Sequence, residues 1–193
     1  MKNLIVYAHP NPKSFCNAIV ESIVKKSEEK GNETKVRDLY KLNFNPVLSP
    51  ADFESFGKGQ IPQDIKEEQE YIEWADVITF VYPIWWAEQP AILKGYIDRV
   101  FSYGFAYKYE NGVPQGLLEG KKVITFNTSG TSNDQYEAAG MHDAMKKMNK
   151  QGIFSFCGLE VLDQVFFGSV PHVDDEVRKS YLKEAEEKIE KLL

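Results

Sequence analysis

Short, continuously apolar runs alternate along the whole chain with segments whose apolar residues recur at helical spacing, and this alternation predicts a parallel sheet covered by helices on both faces. Residues 4–9 (Leu-Ile-Val-Tyr-Ala-His) form the first such run. A strand buried on both faces has no polar side to alternate with, so it is apolar throughout. Residues 34–39, 76–82, 122–127 and 159–170 are predicted as the second to fifth strands, the last with an extension. Between them, Phe15, Ile19 and Ile23, with Ala18 beside them, mark one face of a helix that closes at Lys30-Gly31, where glycine accepts the left-handed cap conformation. Ile92, Leu93, Tyr96, Ile97, Val100 and Phe101 mark a second helix after Pro90, with proline tolerated in the first turn. A third helix is predicted over residues 134–151, and a last, amphipathic one over 174–193 carries Val177, Tyr181, Ala185, Ile189 and Leu192 on one stripe. Residues 40–70 are broken by Pro46, Pro50, Gly57, Gly59 and Pro62 and read as a long surface excursion, with a charged helical pattern starting at residue 63.

Five strands with intervening helices predict one α/β domain over residues 1–193, a flavodoxin-like doubly wound five-stranded parallel sheet in the order 2-1-3-4-5 with its ligand site between the first and third strands. A length of 193 residues suits a single core. The formal net charge of −6 disfavours nucleic acid or anionic lipid as the main partner. No apolar run of about 18 residues and no basic-then-apolar leader is present, so the expected location is cytoplasmic. Cys16 and Cys157 fit neither a disulfide framework nor a CxxC motif and are expected to be reduced and structural; His9, His142 and His172 are too scattered for a zinc motif, so no metal is expected.

The chemistry concentrates in three loops that follow the first, third and fourth strands. Residues 79–86 run from an apolar strand through Pro83 and Ile84 into Trp85 and Trp86, and a helix restarts at Pro90. Loops beyond the carboxyl ends of parallel strands hold ligands, and backbone and indole there offer a wall for a flat aromatic ring such as a flavin. The first loop, residues 9–17, lacks both GxGxxG and GxxxxGK[ST]; it still leads into a helix N-terminus with Lys13 and Ser14, which suits a phosphate, although Ser14 serves equally as a plain N-cap. The third loop, residues 127–133, is rich in small donors and in glycine, as an ordinary turn also is. Tyr136 and His142 beyond it are donors able to stabilise negative charge developing on the pyrimidine edge of a flavin, or a structural pair of one helix.

Taken together, the segments at residues 9–15, 43–48, 83–86, 90–101 and 104–107, with Tyr136 and the Gly-Met-His ending at His142, resemble the NAD(P)H:quinone oxidoreductase family of flavodoxin-like flavoproteins, over about residues 3–182. The Pro-Ala-Ile-Leu-Lys-Gly block is the most specific part. The resemblance implies flavin contacts from His9, Ser14, Phe15, Asn17 and Ala18, from Pro83, Ile84, Trp85, Trp86 and Ala87 along the ring, and from Thr128, Ser129, Gly130 and Thr131 at its edge. It implies that Tyr136 and His142 assist hydride transfer, that Arg178 lies near the adenine of FAD, and that Phe105, Tyr107 and Tyr109 cover the substrate from the partner subunit of a homodimer. The animal enzymes have glutamine at the position of Trp85 and phenylalanine at that of Ala87, so a differently shaped and more open substrate pocket is expected here.

The expected protein is therefore a homodimeric flavoprotein, with FAD favoured over FMN, that takes hydride from NADH or NADPH and passes two electrons to a quinone or similar flat acceptor by a ping-pong mechanism. The alternatives are a one-electron flavodoxin-like carrier, against which the Tyr136 and His142 pair argues, and a regulatory flavoprotein subunit of a potassium-efflux system.

Overall fold

The apolar runs that admit no polar face become the middle of the sheet: β1 (Lys2–Tyr7) is buried from its second residue on, and β3 (Val77–Pro83) along its whole length. In the computed structural model, which describes residues 1–193, they pair in parallel with β2 (Glu33–Asp38), β6 (Lys122–Thr128) and β7 (Glu160–Phe167) in the order β2-β1-β3-β6-β7. Counted within this sheet alone, that is the predicted 2-1-3-4-5. The pairing Tyr7↔Val81 and Pro83↔Thr128 brings the carboxyl ends of β1, β3 and β6 to one edge. The chain reverses its direction of winding between β1 and β3, which opens a crevice there.

Alternation along the strands assigns a core to each face. Leu4, Val6, Ile78, Phe80 and Tyr82 point into one cluster, packed beneath α4 (Ala91–Val100) through Leu93, Tyr96, Ile97 and Val100 and beneath α3 (Gln63–Trp74) through Ile72. Ile5, Tyr7, Val77 and Val81 point into the other, against α1 (Phe15–Glu29) through Ile19 and Ile23 and against α7 (Asp175–Leu192) through Ala185 and Ile189.

Three local expectations are corrected. Residues 40–62 are pinned to the domain: α2 (Pro50–Gly57) opens with a capping box between Ser49 and Asp52, and Gly95 of α4 lies so close to the preceding turn that a Cβ there would meet the Pro46 carbonyl oxygen at 2.1 Å. The single helix predicted over 134–151 is instead α5 (Asn133–Ala138), a break at Gly140 with φ +69°, α6 (Met141–Lys147) and a π-helical segment over Met148–Phe154. The fifth strand stops at Phe167, and residues 168–171 form a loop. The aromatic run after α4 contributes a hairpin of β4 (Tyr107–Glu110) and β5 (Val113–Gly116), outside the main sheet.

Candidate active site

At the crevice, the end of β3 is tied to β6 by the Ile84 N–H, which donates to the Thr128 carbonyl at 2.7 Å. Trp85 and Glu88 then exchange two main-chain hydrogen bonds of 3.1 Å and close a two-residue turn whose tip, Trp86 and Ala87, has φ of 55° and 61°. Turns of this type normally carry Asn-Gly or Gly-Gly, because a left-handed backbone costs a residue with a Cβ roughly 1–3 kcal/mol. Here a tryptophan takes that conformation, with its side chain 99 % exposed. Strain of this kind persists only where the flanking structure holds it.

Facing the turn, His9 accepts the Asn11 N–H on Nδ1 at 3.0 Å, which leaves Nε2 as the ring nitrogen open to a ligand, and its ring lies 6.0 Å from that of Trp85. Ser14 caps α1 by accepting the Asn17 N–H at 3.2 Å, and its hydroxyl meets that of Tyr7 at 3.1 Å. A cleft of about 190 Å³ runs between these loops, lined by His9, Ser14, Phe15, Cys16, Pro83, Ile84, Trp85, Thr128, Ser129, Gly130, Val170 and Pro171. Nine of these were expected from the sequence. Cys16, Val170 and Pro171 were not: Cys16 reads as an ordinary structural thiol, Val170 falls at the end of the predicted fifth strand, and Pro171 carries no prediction. The Cys16 thiol lies 3.1 Å from the Thr128 hydroxyl on the cleft floor. Gly168 and Pro171 were the signals that the strand had ended.

The donors around the cleft suit a flavin phosphate and ring. The N–H groups of Phe15 and Cys16, in the first turn of α1, have no main-chain acceptor, and neither have those of Trp86, Ala87, Gly130 and Thr131. Unpaired amides at a helix N-terminus favour an anion. Of the other two pairs, Gly130 lines the cleft, and Trp86, Ala87 and Thr131 follow its lining residues in the chain.

Tyr136 and His142 come together, though not by a hydrogen bond: their rings meet edge to face at 5.6 Å, and His142 stacks on Phe166 at 4.4 Å. Phe166 faces a small cavity together with Ile84 and Ala87, whereas Tyr136 and His142 line neither this cavity nor the cleft. His142 is buried and its Nε2 has no partner. Burial, aided by the Lys146 ammonium, lowers its pKa from 6.5, so the imidazole is neutral at pH 7. A neutral ring carries one N–H to give and one lone pair.

The remaining predicted residues lie farther out. Asn17 and Ala18 belong to the first turn of α1, with Asn17 Nδ2 on Glu21 at 2.8 Å. Arg178 donates to the Val170 carbonyl at 3.1 and 3.3 Å and to Asp175 at 2.8 Å, so it braces the loop at the rim of the cleft. Phe105, Tyr107 and Tyr109 do not line the cleft. Phe105 packs on the core, while Tyr107 and Tyr109 border a different groove, shared with Phe101, Ile153 and Phe156.

A doubly wound parallel sheet with a ring-sized cleft and open amides at its switch point defines a flavodoxin-like protein, and the chain belongs to that family: a family model described as a flavodoxin-like fold matches residues 1–193. Among curated proteins it is similar to an uncharacterized NAD(P)H oxidoreductase of Haemophilus influenzae, 44 % identical over 189 residues, covering 97 % of this chain and 94 % of that one. It is 34 % identical over 207 residues to NAD(P)H dehydrogenase (quinone) 1 of Rattus norvegicus, covering 97 % of this chain and 76 % of the rat protein. Among solved structures, the NAD(P)H:quinone oxidoreductase from Methanothermobacter marburgensis superposes with a TM-score of 0.91 at 30 % identity, covering 100 % of this chain and 99 % of that one.

Proposed function

We propose that this chain is a flavin-dependent NAD(P)H:quinone oxidoreductase, which moves two electrons as hydride from NADH or NADPH to a quinone or a similarly flat acceptor. The observation that carries this reading is the cleft at the carboxyl ends of β1, β3 and β6, lined by His9, Ser14, Trp85, Thr128 and Ser129, with main-chain amides of Phe15 and Gly130 that bond no carbonyl. Bound flavin supplies the ring that accepts hydride from one substrate and gives it to the next. The protein's own groups do the rest. The α1 amides and Ser14 hold phosphate, Trp85, Trp86 and Ala87 form the wall, and Thr128, Ser129, Gly130 and Thr131 line the polar edge. Tyr136 and His142 stabilise charge that develops there, as preorganised donors do in a site shielded from water.

FAD is the proposed cofactor, on the strength of Arg178 at the cleft rim and the long first loop, with FMN as the alternative. A homodimer is proposed because Phe105, Tyr107 and Tyr109 lie away from their own cleft, Tyr109 is exposed, and aromatics are enriched at interface cores; there they would cover the partner's ring. Reduced nicotinamide nucleotides are cytoplasmic, and the cytoplasm is the proposed location. One open pocket over the ring serves both substrates in turn, which is a ping-pong scheme.

The deciding experiment is an absorbance spectrum of the purified protein followed by anaerobic titration with NADPH and reoxidation by a benzoquinone. A yellow protein that bleaches and recovers, with parallel double-reciprocal plots, is expected; a protein that takes up neither FAD nor FMN overturns the reading. The mass of the flavin released on denaturation decides between FAD and FMN. Sedimentation of the wild type and of Tyr107→Ala, with acceptor turnover impaired more than flavin retention in the variant, decides the dimer.

A further inference from the structure

Behind the strained turn runs a chain of buried amides that the reaction as described leaves unused. The main-chain carbonyl of Lys146 accepts from Gln164 Nε2 at 3.0 Å. A carbonyl can only accept, so this end sets the direction of the whole chain. Gln164 Oε1 therefore receives Asn149 Nδ2 at 3.2 Å, and Asn149 Oδ1 receives Gln89 Nε2 at 2.8 Å. Asn149 Nδ2 also reaches the Tyr82 hydroxyl at 3.2 Å. Gln89 Oε1, at the far end, is buried with no partner.

The two ends of this chain are the two halves of the site. Gln89 directly follows Glu88, whose N–H and carbonyl close the Trp86–Ala87 turn. Lys146 lies one helical turn beyond His142 on α6. Asn149 sits between them in the π-helical segment, where the Ser155 N–H bonds the Lys150 carbonyl five residues back. Such segments are frequent at functional positions.

Stability does not account for the arrangement. Gln89, Asn149 and Gln164 are each 7 % exposed, and a buried oxygen left without a donor carries its full desolvation penalty, whereas apolar side chains of the same shape would carry none. What the amides provide and apolar groups cannot is direction: each bond sets the orientation of the next.

We propose that Asn149 is a positioning residue, which holds Gln89, and through it the Trp86–Ala87 turn, in fixed relation to the helix that carries His142. The positional part stands on these contacts alone; its consequence for hydride transfer rests on the function proposed above.

The test uses Gln89→Leu/Asn149→Leu, which cuts the link and exchanges the unpaired oxygen of Gln89 for those of Gln164 and Tyr82, so the thermal midpoint should fall by several degrees while the protein still folds. Gln89→Met, which severs the same bond with little change of volume, is the second variant should the first not fold. In the flavin-free protein, hydrogen exchange of peptides covering residues 84–89 should accelerate about 10-fold or more, with the α1 and β6 peptides unchanged. In the flavin-loaded protein, flavin affinity should change little while flavin reduction by NADPH slows about 10-fold, the cost expected of a small misplacement of reacting groups. Exchange at 84–89 at the wild-type rate in the variant that folds overturns the proposal. If exchange accelerates but NADPH fails to reduce even the wild type, the positioning role stands and the function proposed above falls; if exchange accelerates and both are reduced equally fast, the role in hydride transfer falls.

Discussion

Arg99 and Asp52 meet as a two-point ion pair shielded from water, with Nη2 on Oδ1 at 2.9 Å and Nε on Oδ2 at 3.2 Å, their side chains 4 % and 6 % exposed. The remaining guanidinium nitrogen donates to the Asn45 carbonyl at 2.9 Å and to Asp64. One side chain of α4 thereby ties down α2, the start of α3 and the turn before them. Removing one partner of a buried pair leaves the other charge uncompensated, at about 3–5 kcal/mol. Arg99→Met is expected to lose about that much in urea unfolding, and Arg99→Met/Asp52→Leu to regain only part of it, because Asp52 also closes the capping box with Ser49; full stability in the single variant would show that residues 40–62 are held by other contacts.

The same pair sets an acid limit. Hydrogen bonds from Arg99, followed by those from Ser49, hold the Asp52 carboxyl below its ordinary 3.8. A carboxyl with a lower pKa folded than unfolded binds protons more readily in the unfolded chain, so its stabilisation is complete above pH 3.8 and disappears as the pH falls through the folded value. Urea midpoints measured from pH 5 down to pH 2.5 should fall less steeply in Asp52→Asn than in wild type. Parallel slopes would exclude Asp52 as a source of the acid sensitivity.

His142 and Tyr136 are expected to act on rate rather than on folding. His142→Ala or Tyr136→Phe should slow flavin reduction by NADPH about 10-fold or more, as loss of a preorganised donor does. Far-ultraviolet circular dichroism should be unchanged. Stopped-flow reduction at the wild-type rate in both variants would leave the two rings as packing residues of α5 and α6.

Both thiols should be inert in the native protein. Burial pushes Cys16 up to about 12, against the weaker opposing hydrogen bond with Thr128, and pushes Cys157 up to about 11. Since the thiolate is the nucleophile, iodoacetamide at pH 7.5 should label neither in the folded chain and both in urea. Rapid native labelling at Cys16 would mean that the cleft floor opens to solvent.

The sheet and its helices were legible in the sequence because their signals are local: an apolar run such as residues 77–83 has no polar side to expose, and α4 and α7 repeat their apolar residues at the helical period. His9, Ser14, Trp85 and Thr128 were legible for the same reason, since each lies at or after the carboxyl end of a strand, where a parallel sheet gathers its loops. Contacts across the chain were not. Cys16 and Asn149 look like ordinary interior or surface residues until folding sets one against Thr128 and the other between Gln89 and Gln164. Nothing local predicts a left-handed tryptophan at position 86, a conformation that only surrounding structure can sustain. The sequence by itself determined the five strands of the main sheet and the helices α1, α4 and α7. Tertiary structure alone decided how Arg99 anchors residues 40–62 and which buried polar atoms face one another, because partners distant in sequence leave no periodic trace in the chain.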